Sequence, residues 1–193
     1  MKRGRRIRPR PFLARLLVLA ACVGALAWGA YTLFPFPYRA QVTVAARQSA
    51  LDPRLLLAVA RAESRFRPDV VSRRGAVGLM QLTPSTAAWI ASQRRPETPY
   101  SPSDLRDPAY NLSAGAWYLA RLLQDYADRL PVALAAYNAG PTPVNAWLAS
   151  GAWAGTRADV ARIPYPETRE FVRRVLTNYA VYRALYPKAA HST

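Results

Sequence analysis

From Leu16 to Phe34 the chain runs 19 residues without a charge, and after that its apolar positions recur at three- and four-residue intervals. The first pattern predicts a helix of the length needed to cross a bilayer, roughly 20 residues. The second predicts amphipathic helices, because positions i, i+3, i+4 and i+7 share one face. Between them Pro35-Phe36-Pro37-Tyr38-Arg39-Ala40 reads as a proline-rich link over residues 35–40. Four later sites repeat one helix-start signal, a short polar residue followed by proline: Asp52-Pro53, Thr83-Pro84, Asp107-Pro108 and Thr142-Pro143. There the polar side chain can cap the helix and proline can take its first position, where an N–H is not needed. Helices are expected over 53–64, 84–93, 108–128, 131–139, 143–149 and about 167–186. The last carries Phe171, Val172, Val175, Leu176, Tyr179, Tyr182 and Tyr186 on one stripe. No segment alternates over more than a few residues, so the class is all-α, preceded by one transmembrane helix. Segments 65–82, 94–106 and 150–166 read as loops, and in a compact domain loops of that length usually serve a site.

Charge gives the apolar run an orientation. The formal charge is +16, and seven of the bases, from Lys2 to Arg15, precede the run. The positive-inside rule then keeps residues 1–15 in the cytoplasm as a basic tail, makes 16–34 a single-pass span and exports the rest. Two alternatives remain: a cleaved signal peptide, or a lipoprotein anchored through Cys22 in Leu19-Ala20-Ala21-Cys22. All three export a domain of residues 41–188, with a short tail over 189–193. Its excess of bases favours an anionic partner, and export disfavours nucleic acid.

Composition narrows the chemistry. With one cysteine, Cys22, and one histidine, His191, the chain can build neither a disulfide nor a clustered Cys/His metal site. A nucleophile activated by histidine is equally disfavoured, because His191 is the third residue from the end, in what reads as a frayed tail. No metal or cofactor is expected, and catalysis would rest on carboxylates, tyrosines or hydroxyls. Most of the eleven acids have local explanations: Asp52 and Asp107 cap helices, while Glu167 and Glu170 lie in a first turn, where the helix dipole favours negative charge. Glu63 has none. It shares the stripe of Leu56, Val59 and Ala60, and a carboxyl on an apolar face has its pKa raised toward the range of a general acid. The alternative is a buried ion pair with Arg61, Arg65 or Arg67.

The motifs that begin at Glu63 make the chemistry specific. Glu63-Ser64-Arg65-Phe66, Ser72 nine positions after the glutamate, Gly78-Leu79-Met80-Gln81, Ala136-Tyr137-Asn138-Ala139-Gly140-Pro141 and the run Pro166-Glu167-Thr168-Arg169 to Tyr179 occur in that order over about 115 residues. This set resembles the signature of the soluble lytic transglycosylase family, related in fold to goose-type lysozyme. Phe171 departs from the tyrosine common in relatives. The resemblance implies a lysozyme-like domain acting on peptidoglycan glycan strands without a cofactor. Glu63 would be the acid, then the base, of non-hydrolytic cleavage between N-acetylmuramic acid and N-acetylglucosamine, leaving 1,6-anhydromuramyl ends.

The resemblance also implies substrate contacts from Ser72, Gly78, Met80, Gln81, Tyr137, Asn138 and Tyr179, with Tyr137 hydrogen-bonded near the acid. Glu167 reads as a positioning group or part of a polar network around Tyr137. Tyr179 lies on an apolar stripe, and core packing is its alternative. Trp89, Trp117, Trp147 and Trp153 are assigned to the core. Rival functions are a catalytically silent peptidoglycan-binding or assembly module, a muramidase of lysozyme type and a membrane-tethered nucleic-acid binder.

Overall fold

The computed structural model describes residues 11–94 and 100–187. Most of the basic tail, Glu97, His191 and the tail 189–193 lie outside the described residues. The chain separates into an N-terminal unit ending at Pro35 and a compact unit beginning at Phe36. The first is one helix, α1 (Pro11–Leu33). Within it Leu13–Leu33 has a mean hydropathy of 2.0, and by length and composition it can cross a membrane.

The second unit is a bundle of α2 (Arg39–Gln48), α3 (Pro53–Ser64), α4 (Pro84–Arg94), α5 (Pro108–Asp125), α6 (Leu130–Ala139), α7 (Pro141–Ala149) and α8 (Pro166–Leu185). Short 3-10 turns stand at Pro102–Arg106 and Val160–Arg162. Among the described residues extended pairing is limited to two isolated bridges, Val71–Val77 and Val77–Leu82.

Helix α3 runs through the centre, with Leu55 to Ala60 all buried. It packs on α8, which also packs on α6, while α5 bridges α2 and α6. Helix α6 is apolar almost all round, as a helix enclosed by others must be, and Val132 to Ala136 are buried. The alanines at 133, 135 and 136 leave room for its neighbours to come close.

Three of the four expected helix starts are present. The Asp52 side chain accepts from Arg54 N, Thr83 Oγ1 from Thr86 N and the Asp107 side chain from Tyr110 N. The fourth differs: α7 starts two residues earlier, on Gly140-Pro141, and Gly140 sits at φ 88°, which suits glycine. Helix α2 was not expected. It takes up the last two residues of the predicted link, and its cap, Tyr38, is left-handed with no side-chain hydrogen bond, so the usual cap signal is missing. Helix α5 ends at Asp125 rather than 128, because Ala127 and Asp128 turn left-handed.

Asp52 does more than cap. Its carboxylate also pairs with the Arg54 guanidinium at 2.7 Å and accepts a hydrogen bond from the Tyr179 hydroxyl at 2.8 Å, joining the start of α3 to α8. Burial alone would raise its pKa, but the Arg54 side chain and backbone and the Tyr179 hydroxyl together hold it below 3.8. A lowered carboxylate stabilises the fold above its unfolded value and stops doing so as pH falls through its folded one. Asp52→Ala is therefore expected to cost about 1–2 kcal/mol near neutrality. In thermal unfolding the gap between wild type and variant should be constant above pH 5 and shrink as pH drops below 4.

Candidate active site

The loop between α3 and α4 carries much of the site, and it has no ladder in which to satisfy its backbone. Arg65, Phe66, Gly75, Gly78 and Gln81 all have positive φ. Three helices supply what the loop lacks, each through one side chain. Ser64, buried at the end of α3, places its hydroxyl 2.9 Å from the Leu79 carbonyl. Asn111 of α5, fully buried, accepts from Met80 N at 2.7 Å and donates to the carbonyls of Leu105 and Val77 at 2.9 and 3.0 Å. Tyr137 of α6 donates its hydroxyl to the Met80 carbonyl at 2.9 Å. A buried backbone needs every such partner, so these contacts set the loop's position.

Close approach is part of the same device. A Cβ on Gly78 would fall 2.3 Å from Asn111 Nδ2, and one on Gly115 would fall 2.7 Å from the Met80 side chain. Gly78 and Met80 thus build the loop. Met80 is fully buried, and neither residue is in the cleft lining, where substrate contact was expected of both. Tyr179 is likewise not in the cleft; its hydroxyl serves Asp52.

The other six expected residues meet in one cleft. Glu63, Ser72, Gln81, Tyr137, Asn138 and Glu167 line a volume of about 270 Å³, joined by Arg74, Thr83, Thr86, Tyr118 and the backbone around Gly140. The Ser72 hydroxyl accepts from Ala76 N at 3.0 Å, closing the turn that contains Gly75. Gln81 commits its amide nitrogen to the carbonyls of Val70 and Gly78, which leaves its oxygen to accept. Asn138 Oδ1 accepts from the buried Thr168 hydroxyl at 2.8 Å. Glu167 pairs with Arg74 at 3.0 Å, both side chains largely exposed, rather than joining a network around Tyr137. Sequence reasoning missed Arg74, Thr86, Tyr118 and Asn111, none of which carries a local signal.

Glu63 is the distinctive group. One side of its carboxyl faces the cleft and protein surrounds the rest. Among the described residues none donates a hydrogen bond to it or forms an ion pair with it, so the expected alternative of an arginine partner is not realised. Loss of water pushes its pKa up from 4.5 to about 8. The positive charge of Arg174 works against this, and the negative charge of Glu167 adds to it. Burial likewise raises the Tyr137 hydroxyl well above its ordinary value, with Glu63 and then Tyr118 pushing the same way. Glu63 is therefore a carboxyl that keeps its proton at neutral pH, facing a polar cleft.

The fold and site thus define an all-helical bundle that holds one desolvated carboxyl beside a clamped loop. Comparison with known proteins gives the family. The sequence profile of the Transglycosylase SLT domain matches residues 41–160, and the chain belongs to that family. It is 36% identical over 151 residues to the soluble lytic murein transglycosylase of Salmonella typhimurium, covering 78% of this chain and 23% of that protein. The membrane-bound lytic murein transglycosylase C of Shigella sonnei is 40% identical over 112 residues, covering 53% of this chain and 31% of that one.

Among solved structures, the 70 kDa soluble lytic transglycosylase of Escherichia coli superposes with a TM-score of 0.76 at 33% identity, covering 91% of this chain and 29% of that one. The lytic transglycosylase Slt of Pseudomonas aeruginosa, solved as an inactive mutant with a glutamate replaced by glutamine, gives 0.70 at 34% identity, covering 78% and 24%. The chain spans about a quarter of the length of these soluble relatives.

The clamp predicts its own failure. Asn111→Ala strands a buried N–H and removes a donor from two carbonyls, for a loss of about 2–4 kcal/mol. Asn111→Asp keeps the shape but sets a carboxylate oxygen against the Leu105 and Val77 carbonyls, and it should destabilise comparably in denaturant unfolding. An Asp variant as stable as wild type would mean that the amide's hydrogen bonds do not hold the loop.

Proposed function

We propose that the chain is a peptidoglycan lytic transglycosylase that cleaves the β-1,4 bond between N-acetylmuramic acid and N-acetylglucosamine without water. The observation that carries this reading is the desolvated Glu63 carboxyl, protonated at neutral pH and open to a polar cleft. Glu63 gives its proton to the glycosidic oxygen as the bond from the muramyl anomeric carbon breaks. The muramyl 6-hydroxyl attacks that carbon, its proton passes to the Glu63 carboxylate, and a 1,6-anhydro ring closes. The acid is thereby restored. Holding the internal nucleophile against the reacting carbon gives it a high effective concentration.

A hydrolase would need a second carboxylate as nucleophile or as base for water. Glu167 is the other carboxylate in the cleft lining, and it is exposed and engaged with Arg74. That arrangement supports the reaction without water. The inactive glutamate-to-glutamine mutant of the Pseudomonas aeruginosa enzyme supports a glutamate in the acid's role. Ser72, Gln81, Asn138 and Tyr137 line the cleft around Glu63 as candidate groups for substrate acetamido and hydroxyl groups. We further infer that α1 anchors the protein by a single span, with the domain outside the cytoplasm.

Mass analysis of muropeptides released from purified peptidoglycan by the full chain in detergent tests the reaction. Anhydromuramyl products from the wild type and none from Glu63→Gln are expected. Reducing-end products would make the protein a muramidase, and no products from either would make it a binding module. Because the first step needs protonated Glu63, kcat/KM is expected to fall as pH rises through about 8.

Stability provides a second readout of the same group. A raised carboxyl favours folding fully only below its unfolded value and loses that contribution as pH rises through its folded one. At pH 8 Glu63→Gln should therefore be more stable than wild type, on the order of 1–2 kcal/mol after allowing for screening through the open cleft. Below pH 4 the two should converge. For the anchor, the whole chain should sediment with membranes, resist release by salt and be open to protease from outside. A shortened soluble chain would instead indicate cleavage of α1.

A further inference from the structure

Outside α1, the large apolar side chains left exposed among the described residues are Val44, Val71, Trp89, which was expected in the core, and Tyr165. Val71 and Tyr165 are close in the chain to the cleft residues Ser72 and Glu167, and Trp89 is on α4, which reaches the cleft through Thr86. Val44, 54% exposed, is on α2, a helix with no residue in the cleft lining.

Helix α2 is two-sided. Val42, Ala45 and Ala46 are buried, where α2 packs on α5 and α3. The opposite side carries Ala40, Val44, Arg47 and Gln48, all exposed and at helical spacing. Arg39 opens the helix, also exposed, with its guanidinium 4.8 Å from the centre of the Phe36 ring. Phe36 in turn meets Tyr186 edge-on at 5.5 Å, which ties the start of α2 to the end of α8. No acid accompanies these bases in sequence: Asp52 is the first acidic residue of the chain, and it is paired with Arg54. Only residues 34–38 separate α1 from α2. A link of that length spans at most roughly 20 Å from Leu33 to Arg39.

We propose that the outer face of α2 is a docking surface for the headgroups of anionic phospholipid. The proposal rests on the reading of α1 as a membrane span and adds a second, peripheral contact with the same bilayer. Reach favours lipid over an acidic protein. With α1 in the membrane, α2 cannot leave the bilayer by more than its tether allows, so lipid is present at high effective concentration and a soluble partner has to displace it. The chemistry agrees. Arginine pairs with phosphate through its planar fork, while its stem lies along apolar surface such as that of Ala40 and Val44. Tyrosine is favoured at the level of the headgroups, and Tyr38 and Tyr186 stand half-buried at this end of the domain. Each base at an anionic surface is favoured roughly fivefold, so Arg39 and Arg47 together favour the docked state about thirtyfold. Docking would restrict the cleft to one orientation over the bilayer, and with it the strands it can reach.

The test uses the full chain with Cys22→Ala and a fluorophore on Gln48→Cys. It is reconstituted in vesicles of mixed phosphatidylglycerol and phosphatidylcholine, or of phosphatidylcholine alone, with a quenching nitroxide on some headgroups of both leaflets. Gln48 is at the end of α2 farther from the tether, so tethering alone does not bring it to lipid. A label on Ala149→Cys, exposed at the end of α7, is the control. In mixed vesicles the label at 48 should be quenched and the one at 149 should not. Arg39→Gln with Arg47→Gln should lower the ratio of docked to free domain about thirtyfold, as should phosphatidylcholine alone, with flotation on the vesicles and melting temperature unchanged. Arg39→Lys with Arg47→Lys keeps the charge and should retain docking.

A label at 48 that stays unquenched in a chain that floats with mixed vesicles overturns the proposal and leaves the span standing. Quenching that the double glutamine variant does not reduce overturns it too, because the tether would then suffice. Shielding of the label from aqueous iodide that grows with protein density, without quenching by lipid, overturns it in favour of a second copy of the chain. A chain that floats with neither vesicle rejects the span, and the docking face with it.

Discussion

The site depends on the clamping of one loop that has no secondary structure to satisfy it. Residues 65–82 leave the central helix, pass through five left-handed positions and return to α4, burying Leu79, Met80 and Leu82 on the way. An unpaired buried peptide group costs enough to unfold a loop of this kind. Here the N–H of Met80 and the carbonyls of Val77, Leu79 and Met80 are taken up by Asn111, Ser64 and Tyr137 from three separate helices. The helical bundle is thus the frame that holds the loop. Two glycines, 78 and 115, let loop and frame come within contact where any Cβ would intrude.

That construction bears on the chemistry through Glu63. The carboxyl sits on the last turn of α3, one residue before the serine that holds Leu79. Burial strips most of the water from it, and among the described residues no hydrogen bond replaces what is lost. This is the condition under which a carboxyl stays protonated near neutrality. It costs the fold stability at neutral and higher pH, a cost borne where the proposed reaction needs an acid. Glu167 illustrates the contrast: exposed and paired with Arg74, it has none of the isolation that Glu63 has.

The parts legible in sequence were those written in local chemistry. Asp52, Thr83 and Asp107 announced their helices because a cap and its proline are neighbours in the chain. Helix α2, capped by a left-handed Tyr38, announced nothing. Glu63 was legible because its periodicity put a charge on an apolar stripe, and the motifs brought Ser72, Gln81, Tyr137, Asn138 and Glu167 to the same cleft. A motif does not separate residues that touch a ligand from residues that build the loop presenting it. Gly78 and Met80 belong to the second kind, and Tyr179 to neither, since its hydroxyl ties α8 to Asp52 at the start of α3. Asn111 and Trp89 were illegible for a third reason: one buried polar side chain and one exposed aromatic each contradict the pattern of an amphipathic helix, and only the tertiary neighbours explain them.

The central claim, that the fold holds Glu63 as a protonated acid, can be read on the carboxyl itself. The chain has four glutamates, Glu63, Glu97, Glu167 and Glu170. Carboxyl carbon labelling should therefore give four resonances, with Glu63 assigned by its absence in Glu63→Gln. The account predicts that this resonance titrates with a midpoint near 8. A midpoint near the ordinary 4.5 would contradict it, because Glu63 would then be ionised at neutral pH and unable to serve as the acid.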